Sequence, residues 1–165
     1  SRGSVIAGRT LAELAELSAG LVVVAICGLI VGWTPHGSVL ETAAAVGLLL
    51  VMAFAFTWVG VWVGLMVRDP DGADGIVMSV IFPAMFLSGI FVPVGGLPDG
   101  LREIATYNPV TALATAVRDL FGSPVGDLPD AWVLQHPVLT SLLWAAALMA
   151  IFVPLAVRRY KRLGY

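Results

Sequence analysis

The residues able to do acid–base, metal or nucleophilic chemistry are few and widely spaced. Glu13 and Glu16, in TLAELAELSAG, stand three positions apart and share one helical face. Carboxylates at membrane depth are costly and often carry protons or meet a partner, so this pair is a candidate at the cytoplasmic entrance of the first apolar run. The plainer alternative is that both are solvated near an interface, with Glu13 able to pair with Arg9. RDPDGADG gathers Asp69, Asp71 and Asp74, but a calcium loop needs glycine at its sixth position and an acid at its twelfth, where this chain has Asp74 and Val80. A tight cytoplasmic turn with Asp74 capping the next helix is expected instead. His36 and His136 lack H-E-x-x-H spacing and Cys27 has no partner cysteine, so no metal site is expected. Ser88 lacks a G-x-S-x-G frame. Lys161 is the only lysine, which excludes a phosphate-binding G-x-x-x-x-G-K-[ST] loop and ATP hydrolysis by this chain alone. No catalytic, cofactor-binding or metal-binding set emerges, and the chain does not read as an enzyme.

The elements that hold these residues are apolar. Of 165 residues, 59% are hydrophobic and 12% charged, and the mean hydropathy is +0.94, outside the usual range of a soluble domain. The net charge of −2 offers no basic surface for nucleic acid. Four stretches approach the roughly 20 residues needed to cross a bilayer: Leu14 to Trp33, Glu41 to Val67, Gly75 to Val94 and Pro137 to Val157. The second is longer than a bare span, and its Trp58 and Trp62 suit an interface; Pro83 predicts a kink in the third. Seven of the nine basic residues, Arg2, Arg9, Arg68, Arg158, Arg159, Lys161 and Arg162, fall on one side of such a topology. The positive-inside rule then places both termini in the cytoplasm.

Between the third and fourth stretches lies a segment too apolar for a disordered linker. Gly95, Gly96, Pro98 and Gly100 break the third stretch, and Leu101 to Tyr107 has room for a short helix. Asn108 is then a favoured N-cap and Pro109 a favoured first helical residue. Val110, Leu113, Ala114, Val117, Leu120 and Phe121 recur at helical spacing and predict the packed face, while Thr111, Thr115, Arg118 and Asp119 fall elsewhere. Gly122 and Pro124 stop this helix, which at about 20 Å is too short to span. It either enters the bilayer as one arm of a re-entrant hairpin or lies flat at the interface. In either case Arg118 belongs near the outer interface, beside an acid, or in a cavity.

FPAMFLSGIFVPVGGLPDGLREIATYNPVTALATAVRDLFG, Phe82 to Gly122, resembles the C-terminal half of type-2 ABC exporter permeases, in particular the daunorubicin-resistance group of bacterial drug-export permeases. In that group a proline-containing span ends in F-x-S-G-x-F-x-P, a short L-P segment follows, and N-P opens a helix ending in an arginine and a small turn. The matching positions are Phe86, Ser88, Gly89, Phe91, Pro93, Leu97, Pro98, Asn108, Pro109, Arg118 and Gly122.

The resemblance implies an all-α integral membrane fold: four transmembrane helices, with an outer re-entrant or amphipathic helical hairpin between the third and fourth. Residues 1–165 would form a single transmembrane domain holding the last four of six spans. The family's N-terminal part and most of its cytoplasmic coupling loop have no counterpart here, so a fragment or truncated product is expected. The resemblance further implies a bacterial cell-membrane permease that pairs with a second permease copy or homologue and with separate ATPase subunits, which bind ATP and magnesium. It would move an amphipathic drug, lipid or related substrate outward by alternating access, the hairpin helping to close the outer end of the cavity. Two other functions fit four spans: a small proton-coupled multidrug antiporter using Glu13 or Glu16, and an inactive membrane scaffold fragment.

Overall fold

The computed structural model describes the backbone of residues 2–67, 70–123 and 128–162, and the side chains within these except at 2–11, 13, 14, 70, 71, 73, 74, 76, 77, 161 and 162. All regular structure among the described residues is helical: α1 (Arg2–Ile30), α2 (Val39–Met66), α3 (Pro70–Phe86), α4 (Asp99–Thr106), α5 (Pro109–Leu120), α6 (Trp132–Gln135) and α7 (Pro137–Arg162), with a 3-10 turn at Val94–Gly96. The all-α expectation holds. α2 starts at a capping box: Ser38 Oγ accepts from the Glu41 amide at 3.2 Å, and Glu41 Oε2 accepts from the Ser38 amide at 2.6 Å.

The central packing is α2 on α7, with α5 against both. Met52 and Ala55 of α2 form a core with Ala145 of α7, joined by Phe56, Leu113, Trp144, Leu148 and Met149. Further along, the Trp62 and Phe152 rings lie 5.4 Å apart, and Arg159 Nε donates to the Leu65 carbonyl at 3.5 Å. Residue numbers rise together in these pairings, so α2 and α7 run parallel.

Two helices are long and apolar enough to cross a bilayer, Val39–Met66 and Pro137–Tyr160. Only 22% and 17% of their most apolar windows are buried, so their apolar surface faces outward, as in lipid, rather than into a soluble core. The apolar part of α1, Ala15–Ile30, is shorter, and α3 has 17 residues. α3 also departs from the stretch expected at Gly75 to Val94. It starts at Pro70, a favoured first helical residue, so Asp74 lies in its second turn and does not cap it. It stops at Phe86, because the chain turns through Gly89 at φ +73°, and a Cβ there would press on the Val94 side chain. Apolar composition continues past Phe86, but the helix does not.

Candidate functional site

The segment from Phe86 to Gly122 folds as one unit built from turn residues upward. Ser88 is buried, and its hydroxyl donates to the Met85 carbonyl at 2.5 Å, closing the end of α3. Gly89 reverses the chain, Pro93 precedes the 3-10 turn, and Val94 is buried beneath it. Arg102 Nη2 donates to the Leu97 carbonyl at 3.0 Å and Nη1 pairs with Asp99 at 3.2 Å, tying the start of α4 to the L-P segment; Pro98 directly precedes that helix. Phe82, Phe86 and Phe91 stack in series at 6.2 and 5.9 Å on an exposed face.

α4 and α5, the two helices expected to make a hairpin, meet at Asn108. The backbone there is extended, at φ −72° and ψ 130°, and Oδ1 accepts from the Val110 amide at 2.9 Å. Pro109 occupies the first helical position and has no donor to leave unpaired. The other side of the same amide group does something a cap alone does not require. Asn108 Nδ2 donates to the Ala84 carbonyl at 2.6 Å, across 24 residues. That carbonyl lies in the last turn of α3, where the Ser88 amide bonds to Met85 instead of to Ala84. One nearly buried side chain, 8% exposed, therefore closes the N-terminus of α5 and the C-terminus of α3 together.

The packed face of α5 corrects the sequence expectation. Its buried residues are Thr111, Ala112, Thr115 and Ala116, whereas Val110, Leu113, Ala114, Val117, Leu120 and Phe121 are half-buried. Small side chains let α5 approach α2 and α7 closely, which decides helix contacts where the surroundings are themselves apolar. Leu113 still reaches the Met52 core. The Thr111 hydroxyl is buried with no hydrogen-bond partner.

The far end of α5 docks on the α1–α2 link, a contact that sequence reasoning missed. The Phe121 carbonyl accepts from the amides of His36 at 3.0 Å and Gly37 at 3.2 Å, and the Phe121 ring meets Trp33 edge-on at 4.8 Å. A Cβ on Gly37 would collide with the Leu120 carbonyl oxygen. Gly122 has φ +70°, and a Cβ there would come within 3.0 Å of the His36 and Gly37 backbone. The two glycines face each other across the junction. Arg118, half-buried, stands in the last turn of α5 with no acidic partner among the described residues, at the end where the helix dipole favours a cation.

Glu13 lies outside the described side chains. Glu16 is not beside the end of α2 but lines a cleft with Met52, Ala53 and Leu113, alongside the middle of that helix. Phe86 through Gly122 are brought together as one structure, and Glu16 lines a cleft that its Leu113 also lines.

Residues 1–121 match the family described as "ABC-2 type transporter". The chain is 29% identical over 156 residues to the daunorubicin resistance ABC transporter permease protein DrrB1 of Streptomyces coeruleorubidus, covering 94% of this chain and 52% of the relative. The chain thus spans about half the length of that relative. No solved structure matches it.

Proposed function

Since the chain belongs to the ABC-2 type transporter family, a family of membrane transporter subunits rather than enzymes, we propose that it is the permease part of an ATP-driven exporter. A separate ATPase subunit would bind ATP and magnesium, a second permease copy or homologue would complete the pathway, and an amphipathic drug, lipid or related substrate would move outward by alternating access. The observation carrying this reading is α5 packed against the two parallel helices α2 and α7, with its N-terminus tied to the end of α3.

Parallel α2 and α7 constrain the path of the chain. If both cross the membrane, residues between them must return to the starting side, an odd number of crossings. α3, at 17 residues and about 25 Å, suits that return, with α1 as the preceding crossing in the opposite sense to α2. This supports four spans with both termini cytoplasmic. α4 and α5 then make no net crossing. From its contact with Gly37 at the outer end of α2, α5 runs about 18 Å along its own axis to the end of α3 at Ala84, too short to cross a hydrocarbon layer of about 30 Å. Such a re-entrant turn is stable only with its backbone polar groups satisfied by protein, and Asn108 supplies that on both sides. A hairpin held at one end by α3 and at the other by the α1–α2 link is placed to move with them, as an outer gate requires.

The test is co-purification of the full-length protein with an ATPase subunit encoded beside it, followed by ATP-dependent export from vesicles. A stable complex with export supports the proposal. A protein that binds no ATPase and drives transport by a proton gradient alone, through Glu13 or Glu16, would establish the antiporter in its place.

A further inference from the structure

Between α1 and α2, with Leu113 of α5 at its wall, lies an open cleft of about 740 Å³. Its lining is apolar, including Leu21, Leu49, Met52 and Phe56, and it holds two polar side chains, Glu16 and Thr57. The Thr57 hydroxyl already donates to the Ala53 carbonyl at 3.2 Å. Glu16 has no basic partner among the described residues. A carboxylate is thus the one uncommitted polar group in a drug-sized apolar cleft. We infer that this cleft binds a lipophilic organic cation, with Glu16 as its counter-charge and Phe56 and the aliphatic residues holding its apolar body.

Charge decides the ligand class. An apolar body of either sign, or of none, gains from covering this surface, but covering it also removes water from Glu16. A neutral or anionic occupant leaves that carboxylate unpaired in low dielectric, which costs far more than the same group costs in water. A cation supplies the missing partner, and an aromatic ring beside it adds attraction. The depth fits such a ligand if the membrane placement proposed above is right, and on that point the inference rests on it. The α2 lining runs from Leu49 to Thr57, about 15 to 27 Å along a helix of about 42 Å, so the cleft lies at mid-membrane, where an unpaired carboxylate is costliest and an apolar body is best held. Leu113 gives the occupant direct contact with the helix whose far end carries the Gly37–Gly122 junction.

The experiment is saturable binding to the full-length protein in lipid nanodiscs, with empty nanodiscs subtracted. The probes are tetraphenylphosphonium and tetraphenylborate, which match in size and shape and differ in the sign of their charge. Expected are saturable binding of the phosphonium without binding of the borate, weakening by about tenfold or more in Glu16→Gln, and near-normal affinity in Glu16→Asp. Equal binding of both ions, undiminished phosphonium binding in Glu16→Gln, or no saturable binding because another segment of polypeptide fills the cleft would overturn the inference. Equal weakening in Glu16→Gln and Glu16→Asp would do so as well, marking Glu16 as structural. No ATPase takes part, so failure of ATP-driven export and failure of this site are read separately.

Discussion

Asn108 carries two bonds whose requirements differ, and substitutions can separate them. Aspartate caps helices as well as asparagine does, so a residue that only capped α5 would accept the change. Here the amide nitrogen faces the Ala84 carbonyl, and a carboxylate oxygen in its place would oppose that carbonyl. Asn108→Asp is therefore expected to destabilise the protein by about 2 kcal/mol, as much as Asn108→Ala, which loses a cap and a hydrogen bond. Thermal unfolding in nanodiscs measures this; an aspartate variant as stable as the parent would show that the tie to α3 contributes nothing. Thr111, in the first turn of α5, makes the opposite case. Its hydroxyl is buried and unpaired, so Thr111→Val should raise stability by up to about 1 kcal/mol in the same assay. Loss of export in a stabilised Thr111→Val protein would assign that hydroxyl a part in transport. The charge of Arg118 needs no buried partner, because the residue sits at the C-terminal end of its helix beside the α1–α2 link.

At the scale of elements, the junction between α5 and the α1–α2 link depends on two glycines in contact. Gly37→Ala places a methyl group against the Leu120 carbonyl and should lower stability by about 1 to 3 kcal/mol, whereas Gly96→Ala, in open space, should change it little. Equal effects, compared by unfolding of both variants, would mean the junction is loose. This junction was not legible in the sequence, since two glycines far apart in the chain carry no mark of their contact. The start and stop of α5 were legible, because Asn108-Pro109 and Gly122 are local signals with local causes. Its buried face was not. Hydrophobic spacing pointed to Leu113 and Val117, yet in a bundle whose neighbours are all apolar, close approach is governed by the small residues Thr111, Ala112, Thr115 and Ala116. The end of α3 was misplaced for a related reason: hydropathy reads Leu87 to Val94 as continuous span, while the positive φ of Gly89 ends the helix.

For the whole molecule, the account turns on direction. α2 and α7 run parallel and α5 runs against them from the middle of α2 to its N-terminal end; in the proposed placement the segment between α3 and α7 enters and leaves by the same face. That arrangement joins three things that composition alone treats separately: the basic residues expected at one side, the polar turn at Asn108, and the tie between Phe121 and Gly37. It also connects the Glu16 cleft, lined by Leu113 within α5, with the junction at the C-terminal end of the same helix. The most direct test is labelling of single cysteines, in a Cys27→Ser background, with a membrane-impermeant maleimide on intact cells. Gly96 and Ser123 flank the hairpin and are exposed, and Arg159 is exposed near the far end of α7. Cysteines at Gly96 and Ser123 are predicted to react from outside, and one at Arg159 only after permeabilisation; labelling of Gly96 and Ser123 from opposite sides would show that the hairpin crosses the membrane and would contradict the account.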